Sequence, residues 1–159
     1  MDFTYFGPGS VVWDLQSSDK FDAIRETIYR STVFSSITNL DLDTFSNAVI
    51  KREREQSTGF GYGIAIAHGR DPVIHKSQVA LGISREGIEF MSYDNQPVHL
   101  LFVVANHPEK HVDYLRILSS LAILARNELF RREILTALCS EEAELRMGRA
   151  MQGVLARAV

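Results

Sequence analysis

The chain has 159 residues, of which 45% are hydrophobic and 23% are charged, and its formal net charge is −3. This length suits one well-packed domain over residues 1–159, and the lack of a broad positive charge argues against nucleic-acid binding. No apolar run is long enough to span a membrane, the N-terminus lacks a secretory signal, and the single Cys139 offers neither an internal disulfide nor a metal-ligand pair, so the sequence predicts a cytoplasmic protein.

The first third of the chain is predicted to contain a short strand and two helices. Residues 11–15 are mostly hydrophobic and form the strand. The first helix begins at Ser18 or Asp19 and the second at Asp41 or Asp43, because these side chains can accept hydrogen bonds from N–H groups of a first helical turn. The second helix ends in the charged run KRERE, ahead of a glycine-rich stretch.

In the middle of the chain, hydrophobic residues recur with a period of two, which is typical of strands. The pattern predicts strands at 64–66, 79–83 and 88–90, with a hairpin turn at Arg85–Gly87 between the last two. Residues 98–105, VHLLFVVA, are nearly all apolar, as expected of a central strand that is buried on both faces.

Beyond Pro108 the helical period returns and continues to the C-terminal end. Hydrophobic residues at helical spacing predict helices within 112–122, 129–138 and 140–158. Helices before and after a group of strands predict a mixed sheet that is covered on both faces.

The stretch QSTGFGYGIAIAHGR places three glycines ahead of one histidine. Gly59, Gly61 and Gly63 can adopt positive φ and expose backbone N–H groups, as in a concave anion site. The same glycines can simply let the chain turn sharply into the sheet. A dinucleotide-binding loop is disfavoured, because these glycines follow a helix and open a strand, the reverse of that fingerprint.

The histidine of this stretch, His68, is a candidate nucleophile for phosphoryl transfer. Arg52 and Arg54 stand near the end of the preceding helix, where a guanidinium group can stabilise charge on phosphoryl oxygens. His111 falls in the first turn of a predicted helix, and the positive end of the helix dipole there favours a neutral imidazole.

The segment REREQSTGFGYGIAIAHG resembles the active-site signature of the phosphotransferase-system enzyme IIA proteins of the fructose/mannitol type and of the similar nitrogen-regulatory IIA proteins. In that family an arginine precedes S-T-G-x-G-x-G-I-A-x-P-H-G, and the histidine carries the phosphoryl group. A later match to H-V-x-x-L-x-x-L-x-x-L-A begins at His111, so the resemblance covers nearly the full length. It implies an α+β fold, a three-layer α/β/α arrangement with a central mixed β-sheet.

The resemblance assigns roles to individual residues. It implies that His68 accepts and donates the phosphoryl group, that Arg52 is the phosphate-side arginine, and that His111 is the second histidine of the pocket. Arg54 is not at the matching position, and Ala67 stands where the family usually has proline. The loop of the phosphate pocket is implied to comprise Ser57, Thr58, Gly59, Gly61 and Gly63.

The function implied is relay of a phosphoryl group from phosphorylated HPr, or from an HPr-like protein of the nitrogen branch, to His68. The group then passes to a IIB domain or acts as a regulatory signal. Because it moves between protein side chains, the chemistry requires no metal or organic cofactor. A single domain without fused IIB or IIC segments resembles the nitrogen-regulatory type. The alternative is a IIA-like interaction module that binds a regulator or transporter without transferring phosphate, which Ala67 alone favours.

Overall fold

The computed structural model describes residues 5–157, and this part of the chain forms five strands and six helices. In chain order they are β1 (Val11–Val12), α1 (Lys20–Arg30), α2 (Thr32–Ser35), α3 (Leu42–Glu55), β2 (Gly59–Gly61), β3 (Ile64–Arg70), β4 (Gln78–Ile88), β5 (Val98–Asn106), α4 (His111–Ala125), α5 (Glu128–Leu135) and α6 (Ser140–Arg157). None of these helices combines the length and the hydrophobicity needed to cross a membrane.

The strands form one mixed sheet in the order β1-β4-β5-β3-β2. Strand β5 lies at its centre, antiparallel to β4 and parallel to β3. Eight of the nine residues of β5 are buried, and the exception, His99, is only partly exposed. A strand with neighbours on both sides and helices on both faces has no solvent side, which accounts for its unbroken apolar sequence and confirms the prediction of a central strand.

Two hydrophobic cores lie on opposite faces of the sheet, and the alternation of β3 shows how they are divided. Ile64 and Ile66 pack in the core against α4 and α6, whereas Ala65 and Ala67 pack in the core against α1 and α3. Successive side chains of a strand point to opposite faces, so one strand serves both layers. The predicted three-layer α/β/α arrangement with a central mixed sheet is therefore confirmed.

Both early helices begin at aspartates that the sequence suggested as caps. The Asp19 carboxylate accepts from the N–H groups of Phe21 and Asp22, and the Asp41 carboxylate accepts from those of Asp43 and Thr44. Each such cap stabilises its helix by about 1 kcal/mol. Helix α3 then runs through the charged segment KRERE to its last residue, as predicted, and it carries Arg52 in its final turn.

The predicted hairpin at Arg85–Gly87 is wrong, because β4 continues through these residues without reversing. Its pairing with β5 becomes irregular between Ile83 and Ile88, where β4 has the larger number of residues. Gly87 has a φ of 93°, and its N–H donates to Ser84 Oγ. Glycine thus accommodates extra residues in a bulge of one strand, whereas the sequence pattern alone suggested a turn between two.

Two of the shortest elements were not predicted, and a third was predicted too long. Helix α2 has four residues, too few to show a helical period, and β2 consists of the glycine-containing segment GFG. Strand β1 covers Val11–Val12 only, so the predicted first strand over 11–15 was too long. Local sequence carries little information about such elements, because contacts with distant parts of the chain decide whether they form.

Candidate functional site

His68 lies near the C-terminal ends of two parallel neighbouring strands. It is opposite Val104 in the register of β3 and β5, and the chain leaving β5 leads directly into α4. His68 continues the even-numbered series of β3, so its side chain lies on the face that packs against α4 and α6. His68 is partly exposed, and therefore accessible, at this end of the two strands.

The residues on either side of His68 belong to the opposite face. A Cβ at Gly69 would lie 2.7 Å from side-chain atoms of both Phe45 and Val49, so glycine is required for the close approach of α3 to β3. Ala67 is 1% exposed and packs in the same core. The residue that departs from the family pattern therefore does not line the side of the sheet that carries the His68 ring.

Tyr114, which the sequence analysis did not consider, makes the direct contact with the histidine ring. Its Oη lies 3.2 Å from His68 Nδ1, and the two ring centroids are 5.0 Å apart with a tilt of 51°. Tyr114 lies in α4 three residues after His111, so the two share a face of the helix. That spacing is the signal in the sequence from which Tyr114 could have been identified.

The electrostatic surroundings keep the His68 imidazole neutral. Burial, followed by the positive charges of Arg52 and Arg70, lowers the pKa of His68 from 6.5 to about 4. Burial also raises the pKa of Tyr114, so its hydroxyl keeps its proton near neutral pH. Arg70 is two residues beyond His68 on β3 and points to the same face, yet the sequence analysis did not single it out.

A buried carboxylate holds the end of α3 against the glycine-rich loop. The side chain of Glu53 has no exposed surface and accepts hydrogen bonds from Thr58 N, Thr58 Oγ1 and Lys20 Nζ. Its neighbour Arg52 donates from Nη1 to the Gln56 carbonyl at 3.2 Å. Glu53 was missed because, within the charged run KRERE, it is indistinguishable from a solvated surface residue.

The glycine-rich loop forms the turn between β2 and β3. Gly61 and Gly63 have φ values of 99° and 76°, which favour glycine, and Tyr62 between them has a φ of 59°. The Tyr62 N–H donates to Asp94 Oδ2, and the Gly63 carbonyl accepts from two N–H groups at the start of β5. Within residues 5–157, no hydrogen bond joins this loop to the His68 ring, so its observed contacts are those of a turn into the sheet.

The first two residues of the predicted pocket loop also have contacts away from His68. Ser57 Oγ donates to the Phe90 carbonyl and accepts from Gly59 N, while Thr58 is held by Glu53. A Cβ at Gly59 would lie 2.8 Å from the Cα of Ser92, so this position also needs glycine for close packing.

The remaining histidine and arginine candidates lie at different places. His111 is exposed as the first residue of α4, one turn before the residue that contacts the His68 ring. Arg54 is exposed, and its guanidinium lies 5.1 Å from the centre of the Phe21 ring. Of the two arginines that the sequence analysis weighed, Arg52 is the one whose charge acts on His68.

These groups together favour nucleophilic chemistry on an anionic group. A neutral imidazole has a free lone pair, two cations can offset negative charge nearby, and a phenol hydroxyl contacts one ring nitrogen. Among the residues that the structure describes, no three His, Cys, Asp or Glu side chains are grouped in a way that could hold a metal ion.

The lowered pKa of His68 predicts a measurable effect of pH on stability. Between about pH 6.5 and 4 the unfolded chain binds a proton at His68 that the folded chain does not, so this contribution to stability is complete above 6.5 and is lost as the pH falls through 4. We expect the free energy of unfolding to fall more steeply from pH 7 to pH 4.5 in the unmodified protein than in His68→Gln, measured by urea titration. NMR titration of the folded protein should place the His68 midpoint near pH 4, and a midpoint above 6 would contradict the site electrostatics.

Comparison with known families gives a match over most of the chain. The family model described as "Phosphoenolpyruvate-dependent sugar phosphotransferase system, EIIA 2" matches residues 4–146. The chain is also 33% identical over 125 residues to the PTS system fructose-specific EIIABC component of Bacillus subtilis (strain 168). That match covers 78% of this chain but 19% of the relative, so the chain spans about a fifth of that protein's length.

Two solved structures share the fold. The nitrogen regulatory protein IIA-Ntr of Neisseria meningitidis superimposes with a TM-score of 0.81 at 25% identity, covering 91% of this chain and 97% of that one. The mannitol IIA enzyme of Escherichia coli, solved in complex with phosphorylated IIB, superimposes with a TM-score of 0.71 at 18% identity, covering 92% and 96% of the two chains. The second likeness concerns the fold alone.

Proposed function

The chain belongs to the EIIA 2 family of the phosphoenolpyruvate-dependent sugar phosphotransferase system, and we propose that it is a phosphohistidine carrier whose phosphoryl-accepting residue is His68. The observation that carries this assignment is the state of the imidazole. It is partly exposed at the ends of two parallel strands, and burial together with Arg52 and Arg70 keeps it neutral. A protonated imidazole has no lone pair with which to attack phosphorus, so the site holds the reactive form across the physiological pH range.

The transfer exchanges one N–P bond for another. A ring nitrogen of His68 donates its lone pair to phosphorus, while the bond from phosphorus to the donor histidine breaks and its electron pair returns to the donor ring. The transferred group carries negative charge on its oxygens throughout, and Arg52 and Arg70 are the cations available to offset it. The bonds made and broken join phosphorus to side-chain nitrogens, so this exchange calls for no organic cofactor.

The surface beside His68 suits docking of protein partners. Val112 and Leu115 of α4 are 70% and 58% exposed, next to His111 and one turn or less from Tyr114. Exposed apolar side chains around a small reactive group are typical of an interface that forms and dissociates. The proposed partners are phosphorylated HPr, or an HPr-like protein, as donor and a IIB domain or a regulatory protein as acceptor, all meeting in the cytoplasm.

The proposed branch is the nitrogen-regulatory one, in which the phosphorylation state controls a partner protein. The Neisseria IIA-Ntr structure superimposes on this chain with a TM-score of 0.81 at 25% identity, and this likeness supports the proposed branch. The alternative, an interaction module that transfers no phosphate, was suggested by Ala67. Because Ala67 packs on the opposite face from the His68 ring, its presence gives that alternative little support.

The test is phosphorylation by purified components. The protein is incubated with phosphoenolpyruvate, enzyme I and HPr of the sugar branch, and in parallel with the corresponding nitrogen-branch pair, and intact mass is followed over time. We expect one added phosphoryl group that is lost in acid and absent without the HPr protein, with faster labelling by the nitrogen-branch pair. A folded protein that gains no phosphoryl group from either pair would favour the interaction module.

A further inference from the structure

The contact between Tyr114 and His68 joins the two parts of the site that come from different layers. Tyr114 Oη is 3.2 Å from His68 Nδ1, and no other side chain among residues 5–157 is hydrogen bonded to this ring. The rings also pack against each other with centroids 5.0 Å apart. Helix α4 is thereby linked to the end of β3, and the orientation of the imidazole is restricted.

A neutral imidazole has one N–H donor and one lone-pair acceptor, so the partner of Nδ1 decides what Nε2 can do. If Nδ1–H donates to the Tyr114 oxygen, the lone pair is on Nε2. If the Tyr114 hydroxyl donates to Nδ1 instead, Nε2 carries the proton, which must leave before that nitrogen can attack phosphorus.

The first arrangement fits the surroundings of the ring. No acceptor among the described residues is hydrogen bonded to Nε2, so nothing in this part of the chain would hold or remove a proton there. Arg52 and Arg70, whose charges act on the ring, are guanidinium groups that donate hydrogen bonds and accept none, so neither would hold a proton on Nε2.

We infer that Tyr114 is a positioning residue whose hydroxyl accepts the Nδ1 proton of His68 and so leaves the Nε2 lone pair free to receive the phosphoryl group. This inference rests on the proposed function of His68. In the transfer, Nε2 forms the new N–P bond, the donor's N–P bond breaks, and the Nδ1 proton stays in place. The ring gains positive charge as the bond forms, which makes Nδ1–H a stronger donor, so the hydrogen bond to Tyr114 favours the product more than the reactant.

The test is Tyr114→Phe, which keeps the aromatic ring and removes only the hydroxyl. The matched control is Tyr93→Phe, because Tyr93 is 97% exposed and lies outside both β3 and α4, the elements that carry His68 and Tyr114. Nitrogen-15 NMR of histidine-labelled protein reports which ring nitrogen of His68 is protonated, and phosphorylation by the HPr system gives the rate. We expect the unmodified protein and Tyr93→Phe to have the proton on Nδ1. We expect Tyr114→Phe to shift towards the Nε2–H form and to accept the phosphoryl group about 10-fold more slowly.

The outcomes separate this inference from the proposed function. A His68 proton on Nε2 in the unmodified protein overturns the role given to Tyr114, even if labelling proceeds normally. An unchanged tautomer in Tyr114→Phe also overturns it, whatever the rate. If the unmodified protein is not labelled at all, the proposed function fails, and the NMR measurement still decides whether Tyr114 sets the tautomer. Should Tyr114→Phe not fold, the tautomer of the unmodified protein provides the decision.

Discussion

Replacement of His68 by alanine is expected to abolish phosphoryl labelling, whereas replacement of His111 by alanine is expected to leave labelling on His68. The proposed nucleophile is the imidazole of His68, and the variant has no other group at that position that can form the N–P bond. His111 is exposed at the start of α4, and within the described residues it has no hydrogen bond to the His68 ring. We therefore expect His111 to affect the rate of transfer to or from partners rather than to carry the phosphoryl group.

This pair of variants is read by intact mass after incubation with the HPr system, together with thermal unfolding to show that both remain folded. The side chain of His68 is partly exposed near the end of β3, so its replacement by alanine is not expected to unfold the protein. Labelling of His68→Ala to the same extent as the unmodified protein would contradict the assignment. Loss of labelling in a folded His111→Ala variant would show instead that His111 is the acceptor or an obligatory partner of it.

The parts of the fold that sequence predicted well are those in which a residue's own chemistry decides the outcome. The apolar segment VHLLFVVA became the central strand because a strand that is covered by helices on both faces has no solvent side and needs apolar residues throughout. Asp19 and Asp41 became helix caps because a short carboxylate satisfies N–H groups that a helix leaves unpaired. In each case a local rule and the global fold agree.

The errors arose where the decision depends on a distant segment. The sequence around Gly87 has the composition of a turn, but pairing with β5 on one side keeps β4 continuous through a bulge. Glu53 lies in a charged run that is typical of an exposed helix end. The loop that follows α3 nevertheless folds back over it and buries it. Neither result can be read from a window of neighbouring residues.

The same distinction applies to the candidate site. The family motif drew attention to His68 and Arg52, which are 16 residues apart and are brought together by the short segment between α3 and β3 that contains β2. Tyr114 is 46 residues away from His68, and only the parallel pairing of β3 with β5 places α4 over the histidine. Arg70 is two residues from His68, but its relevance depends on the two sharing a face of the strand.

The two arginines in the last turn of α3 allow a matched test of the electrostatic argument. Arg52 and Arg54 are two residues apart, which places them on different sides of the helix. The charge of Arg52 acts on His68, whereas the Arg54 guanidinium lies over the Phe21 ring. The variants remove the same chemical group from the same helix turn, so a difference between them reports position rather than net charge.

Arg52→Ala is expected to slow phosphoryl acceptance by roughly 30- to 150-fold, because loss of one charge-assisted contact to the phosphoryl oxygens costs about 2–3 kcal/mol. Arg54→Ala is expected to change the rate by no more than about twofold, since an exposed charge on another side of the helix interacts weakly with the site.

A second measurement separates a direct charge effect from disturbed structure. Since the charge of Arg52 is one cause of the lowered pKa of His68, NMR titration should show a higher His68 pKa in Arg52→Ala and an unchanged one in Arg54→Ala. Equal rates or equal titrations in the two variants would mean that Arg52 does not act on the His68 ring, and the cation that offsets phosphoryl charge would then have to be sought first at Arg70.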